Sequence, residues 1–374
     1  MVEEELVKLR EGKVEFLAPA GYNVSGPGKR EGGLFYNRQM EMNRDVCVSI
    51  LNALGRRVRV LDAMAATGIR SARIAVESGV ECEIDAADTS QSAVELMDRN
   101  FGSLGLENVR IHRRGAIAAM AEGSFDYIDI DPFGTPVRFI PQALMSVRSG
   151  GIIGVTATDT AMLCGSARGS GRRYLCESRR WPFMHELGIR CLIGYMVRIG
   201  ASFDRAVTPV LSVFADHYFR VYVKVENGVG RAERMLGRMG YASYDAGTRE
   251  RYVGQTPVSG GAGPLWTGEL HSSSLLSSMK CMDWFGSRRR LEKMLGVWRD
   301  EAEAPPLFYN MDELSRLFGY SLPSLSRTIE LIRGSFTACR THFDPKGFKT
   351  DAGVGELRSL LAPASPGKGI SGAA

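Results

Sequence analysis

Cysteines at short spacing are missing from this chain. Its 7 cysteines (Cys47, Cys82, Cys164, Cys176, Cys191, Cys281 and Cys339) are scattered, with no CxxC pair. A structural zinc cage or a disulfide framework needs thiols that converge, so neither is expected. Histidine is sparse as well: His112, His185, His217, His271 and His342 stand singly, and none reads as a metal ligand or general base. No metal is implied. Long apolar runs are absent too, which excludes a membrane-spanning helix. The opening MVEEELVKLREGK has neither the apolar stretch of a secretory signal nor the acid-poor character of a transit peptide, and a soluble cytoplasmic protein is the expectation. There is no internal repeat, and no GxGxxG to mark an NAD or FAD site. Charge of one sign is in small excess: 47 basic against 42 acidic side chains leave +5, which permits nucleic-acid binding without implying it.

What remains is the profile of a folded protein. With 374 residues, 44% apolar and 24% charged, two domains with cores of their own are expected, and wholesale disorder is not. Strand patterns at 58–66, 81–89, 108–114, 125–134 and 150–159 alternate with helical ones at 69–79, 90–105 and 139–150. Ser90 is placed to cap the second of these helices. A long helical segment (181–203) precedes 207–228, which reads as two strands pairing antiparallel at a sheet edge. The sum is a doubly wound, mostly parallel α/β sheet of seven strands, whose ligands sit beyond the carboxyl ends of the strands. The Gly-, Pro- and Ser-rich GQTPVSGGAG (254–263) is the candidate domain boundary, and helical patterns around 272–300, 311–319 and 323–334 make a second, mainly helical α+β domain. The division expected is 1–262, 263–361, and a disordered low-complexity tail at 362–374.

Three signals carry chemistry. The loop Asp62-Ala63-Met64-Ala65-Ala66-Thr67-Gly68 follows the first strand. Its small residues let backbone N–H groups approach a ligand at the next helix's N-terminus, and its acidic start suits an ammonium group rather than a pyrophosphate. S-adenosylmethionine is a ligand of that kind; a tight turn with no ligand is the plainer alternative. Asp88, followed by Thr89, closes the second strand, where a carboxylate accepts from both ribose hydroxyls of an adenosine cofactor or else caps the helix that follows. The most specific signal is Asp129-Ile130-Asp131-Pro132-Phe133-Gly134 at the end of the fourth strand. Methylating an exocyclic amine needs acceptors for its hydrogens, which Asp131 and the Pro132 carbonyl offer, while Phe133 offers a stacking face for an extruded base. A carboxylate only accepts, which matches the adjacent N1–H and N2–H donors of guanine. Otherwise the motif is a proline-fixed turn with a core phenylalanine.

The segments EGKVEF, LFYNRQMEMNRDVCVSIL, VLDAMAATGIRSARIA, AADTSQSAVELM, FDYIDIDPFGTP and GGIIGVTATDTAMLCG, then GPLWTGEL (263–270) and CRTHFDPKGFKTDA (339–352), cover almost the whole chain. In order and content they resemble the tRNA (guanine-26, N2)-dimethyltransferase family. The resemblance implies a class I methyltransferase fold using S-adenosylmethionine, a C-terminal domain that engages tRNA, and transfer of one or two methyls to a guanosine N2. It assigns Arg44 to the cofactor's methionine end, Asp62, Ala63, Thr67 and Gly68 to the cofactor loop, and Asp88 with Thr89 to the ribose. It further assigns Asp131 to the amine and Phe35 with Phe133 to a sandwich around the flipped guanine. Family members often place an acidic residue and an alanine after the third strand; here the run is Arg113-Arg114-Gly115-Ala116, so backbone groups near Ala116 are expected to meet the adenine. Arg38 replaces a proline after FYN, and 240–252 lacks the cysteines of a zinc insert some relatives carry. Arg168, Arg172 and Arg173 stand in the glycine-rich stretch 164–180 after the fifth strand and are expected to form a flexible loop that clamps tRNA phosphates; Arg288, Arg289 and Arg290 with Lys293 are a weaker candidate. The motif reads a base and not its address. Methylation at another tRNA or ribosomal RNA position, or a silent RNA-binding module on the same fold, are the other readings, and a monomer is expected.

Overall fold

The computed structural model describes residues 5–22 and 34–362, so the expected tail lies outside the described residues from residue 363 on. Two short strands come first, β1 (Leu6–Glu11) and β2 (Val14–Pro19). They turn at Gly12, whose φ of +57° and 2.1 Å approach of a would-be Cβ to Glu77 Oε1 leave room for no side chain. A single 3-10 turn capped by Asn37 leads into α1 (Glu41–Leu54).

The alternation read from the sequence then appears as β3 (Val58–Asp62), α2 (Ile69–Glu77), β4 (Cys82–Asp88), α3 (Gln91–Leu104), β5 (Val109–Arg113), α4 (Ala116–Ala121), β6 (Phe125–Ile130), α5 (Ile140–Ser146) and β7 (Val147–Ala157). Ser90 caps α3, its side chain accepting from Ala93 N. After α6 (Thr160–Leu163), α7 (Ser170–Tyr174) and α8 (Met184–Ala201) come β8 (Arg205–Ala215) and β9 (Tyr218–Asn227). One 7-stranded sheet results, in the order β5-β4-β3-β6-β7-β9-β8. Neighbours from β5 to β7 are parallel, and β9 runs antiparallel to both β7 and β8, as the edge hairpin was expected to do. Every residue of β6 is buried, the mark of a central strand covered on both faces. On one face α8 packs Leu187, Leu192 and Met196 against Val155, Val221 and Val223; on the other, α1 packs Ile50 and Leu51 against Val58, Val60 and Tyr222.

Two sequence expectations are corrected here. The helical pattern 139–150 ends at Ser146, because Val147 already pairs in register with Phe125 of β6. The arginine stretch 164–180 is not a free loop: α7 lies within it, and Cys164, Tyr174 and Cys176 are buried in the main core. Its apolar side chains anchor a segment whose glycines and arginines alone suggested mobility.

Next come α9 (Val229–Leu236), β10 (Met239–Tyr244), β11 (Arg251–Gly254) and β12 (Ala262–Trp266), the strands ordered β11-β10-β12. The stretch 254–263 turns between β11 and β12, and Leu265 with Trp266 packs in the core beneath α8, so a cut at 262/263 falls inside a strand. The remainder comprises α10 (Ser273–Ser278), α11 (Arg288–Glu301), β13 (Tyr309–Asn310), α12 (Met311–Phe318), α13 (Leu325–Ile332), β14 (Ala338–Arg340), β15 (Gly347–Thr350) and α14 (Val354–Leu360). Leu276, Leu295 and Trp298 join the α1 face, whereas Leu314, Ile332, Phe348 and Leu357 form a separate small core. All seven cysteines are free, and no described helix is long and apolar enough to cross a membrane.

Candidate active site

The carboxyl ends of β3, β4, β6 and β7 open onto a cavity of about 1130 Å³, which is large for one small ligand and fits a nucleoside cofactor plus a base. Phe35, Arg44, Asp62, Ala63, Thr67, Asp88, Thr89, Ala116, Asp131, Pro132 and Phe133 all line it. Gly68 is the N-cap of α2 at φ +77°, where a Cβ would meet the Phe101 ring at 2.6 Å.

On the β3–β4 side of the cavity, the loop after β3 is fixed by its neighbours. Ala63 N donates to Asp129 O (3.2 Å), Ala65 N to Ala87 O (2.9 Å), and Asn100 Nδ2 to Thr67 O (3.0 Å). Asp62 is 2% exposed and accepts from Ser71 Oγ at 2.9 Å. Burial pushes its pKa up to about 6, against the pull of nearby Arg70. An anion so poorly compensated suits a cationic ligand group. Asp88 accepts from Ala66 N (3.0 Å) on one oxygen and Ser90 N (2.9 Å) on the other, so it braces both the loop and the start of α3; each oxygen keeps a second lone pair. Arg44 is 5% exposed; its Nε and Nη2 bind Glu11 at 2.6 and 2.7 Å, while Nη1 makes no hydrogen bond among the described residues. Burial would raise the pKa of Glu11, but Arg44 and Arg73 bring it down to about 2.

On the β6 side, Asp131 keeps 24% of its side chain exposed and accepts from Arg70 Nη2 at 2.7 Å on Oδ2; Oδ1 has no hydrogen-bond partner among the described residues. The turn that follows is pinned to the end of β7 by Gly134 N donating to Thr158 Oγ1 (2.7 Å) and Thr158 N to Gly134 O (2.9 Å). Phe133 is 55% exposed and meets Phe35 edge to face, ring centroids 4.8 Å apart at 78°. A base lying between them therefore needs one ring to turn.

Sequence reasoning missed the residues behind these. Arg70 of α2 also reaches Asp129 Oδ1 (Nε, 3.2 Å) and Asn43 Oδ1 (Nη1, 2.9 Å). Arg220 of β9 binds Asp129 and lies 3.1 Å from the Tyr127 hydroxyl. Burial would raise Asp129, but Arg220 and Arg70 hold its pKa below the usual range. The available signal was charge arithmetic: three carboxylates within six residues, Asp126 and Asp129 on the buried strand β6 and Asp131 just after it, call for cations from elsewhere.

The predicted RNA-binding arginines stand outside the cavity lining. Arg168 and Arg172 are exposed, whereas Arg173 pairs with Asp159 at 3.3 Å, beside the Tyr174 hydroxyl on the same carboxylate (2.6 Å). Arg290 of the second basic patch pairs at 3.2 Å with Asp216, in the β8–β9 turn that lines the cavity. His271, Glu301 and His342 are brought together, their ligand atoms within 4.8 Å of one another, which the sequence did not suggest. The Glu301 carboxylate there accepts from the His342 ring, His342 N (3.2 Å) and Thr341 Oγ1 (2.5 Å), while both His271 ring nitrogens and His342 Nε2 are buried with no hydrogen-bond partner among the described residues.

Comparison with known proteins agrees with this geometry. The chain is 35% identical to the tRNA (guanine(26)-N(2))-dimethyltransferase of Pyrococcus abyssi, over 96% of this chain and 100% of that protein. It is 33% identical to the enzyme of the same name from Thermoplasma volcanium, over 95% and 98%. Its structure matches that of Trm1 from Pyrococcus horikoshii in complex with S-adenosyl-L-methionine, with a TM-score of 0.86 at 32% identity, covering 95% of this chain and 100% of that one. The model of the N2,N2-dimethylguanosine tRNA methyltransferase family matches residues 28–362, and with a seven-stranded sheet, an adenosyl-type loop and the Asp131–Phe133 turn around one cavity, the chain belongs to that family.

Proposed function

We propose that this protein transfers one or two methyl groups from S-adenosylmethionine to the N2 amine of guanosine 26 in tRNA. The observation that carries the reading is the convergence of Asp62, Asp88, Asp131 and Phe133 on one cavity at the carboxyl ends of adjacent strands. The cofactor fits the residues present: Asp62 is a buried, under-compensated anion for the ammonium end, Arg44 Nη1 is open to a carboxylate, and Asp88 keeps lone pairs for the ribose. Bound there, it supplies a methyl carbon on a sulfonium, open to in-line attack by the amine.

The chain's own residues do the rest. Asp131 Oδ1 accepts one N–H of the amine and the Pro132 carbonyl the other, which turns the nitrogen lone pair out of conjugation and toward the cofactor. The proton released on transfer passes to Asp131 and then to solvent, to which that side chain is open. Phe133 and Phe35 grip the extruded guanine; stacking of about 1–3 kcal/mol per base offsets the few kcal/mol of unstacking. Arg168 and Arg172, exposed beside the cavity's strand ends, meet phosphates, and the segment beyond β12 meets the body of the tRNA by shape. The test is nucleoside mass spectrometry of unmodified tRNA transcripts after incubation with cofactor. N2-methylated and N2,N2-dimethylated guanosine should appear, and a transcript with adenosine at position 26 should gain no mass; undiminished methyl uptake by that transcript refutes the position.

A further inference from the structure

Asp131 does not hold its own position. It follows the end of β6, in a turn, and its rotamer and charge depend on what touches Oδ2. That group is Arg70, which is buried (side chain 7% exposed) and whose three nitrogens are all engaged: Nη2 on Asp131 at 2.7 Å, Nε on Asp129 at 3.2 Å and Nη1 on Asn43 at 2.9 Å. Asp129 and Asn43 are themselves buried and so fix the guanidinium plane. Arg220 balances the charge of Asp129 from the opposite side, so the positive charge of Arg70 is available to Asp131.

We infer that Arg70 is a positioning residue for the methyl transfer: it aims Asp131 by occupying Oδ2 and leaves Oδ1 for the amine of the guanine. This rests on the role given to Asp131 above. A guanidinium fork held on three sides sets direction as well as charge, which a lysine ammonium cannot do.

The experiment is single-turnover methyl transfer by the full-length enzyme at saturating S-adenosylmethionine and tRNA transcript, for wild type, R70A, R70K, D131N and R70A/D131N. Calorimetric cofactor affinity and melting temperature are measured alongside. R70A should lose about a hundredfold in rate, the scale of a misplaced reacting group, with cofactor affinity and melting temperature near those of wild type. R70K, which keeps the charge without the fork, should fall between. In the D131N background R70A should cost little more, since the two act as one unit. A folded R70A with wild-type rate, or an undiminished R70A effect in D131N, overturns the inference. Should R70A fail to fold, R70K carries the test: full wild-type activity in it shows that the fork does not matter. D131N that retains wild-type rate defeats the reading of Asp131 itself, whereas an inert D131N beside an indifferent R70A defeats only the role of Arg70.

Discussion

Asp62 sits at the floor of the cavity with the Ser71 hydroxyl against one oxygen, and its surroundings raise its pKa to about 6 from an ordinary 3.8. A folded-state pKa above the unfolded one means that ionising this group costs stability as pH rises through that window, and a cationic ligand returns what is lost. Cofactor affinity measured by titration calorimetry should therefore weaken by up to tenfold per pH unit below about 6, and D62N should both weaken binding at neutral pH and flatten that dependence. A D62N variant with the wild-type pH slope would remove Asp62 from the ligand's contacts. Asp62, Asp88 and Asp131 were legible from the chain because each stands at or just past the carboxyl end of a strand, where ligands of a parallel sheet sit. Arg70 and Glu11 were not, because their partners lie far along the chain: 61 residues separate Arg70 from Asp131, and 33 separate Glu11 from Arg44.

Among the elements, the β1–β2 hairpin acts as a clasp on α1 and α2. Glu11, 1% exposed, accepts from Arg44 of α1, Arg73 of α2 and the Tyr36 hydroxyl, while Gly12 presses against Glu77. Removing one member of such a buried network leaves its cations uncompensated, so E11Q should destabilise the protein by about 3–5 kcal/mol. The pH profile has a definite sign. A pKa held down at about 2, against 4.5 unfolded, gives stability that is present above about pH 4.5 and lost as pH falls toward 2. Denaturant melts at a series of acid pH values should show that loss in wild type and a flatter curve in E11Q. The helices and inner strands were readable because period and burial agree in them. The hairpin was not: Val14, Phe16 and Ala18 do alternate inward along β2, but the run is short, and the ion pairs that also hold it come from residues far along the chain.

At the scale of the whole molecule, the sheet places cofactor loop, base turn and exposed arginines at one end, and the C-terminal helices brace α1 from the side. If Arg168 and Arg172 meet phosphates, replacing both with glutamine should weaken tRNA binding and reduce the slope of log affinity against log salt by nearly two. Filter binding at several salt concentrations measures this, and an unchanged slope returns both side chains to solvent. The parallel sheet was plain from strand and helix alternation, but the position of the 254–263 turn was not: glycine and proline mark a bend, and only Trp266 packing beneath α8 tells whether it separates two bodies or two strands of one. The contact between Phe35 and Phe133 carries a last consequence for selectivity. Ringed neighbours that already satisfy each other surrender about 0.5–1.5 kcal/mol when pried apart, and only a visitor with two flat faces returns more than that. Water, a phosphate or an aliphatic chain recovers too little to hold the rings open, so a Phe35–Phe133 pair that grips the base as proposed would select for planarity before Asp131 meets a hydrogen.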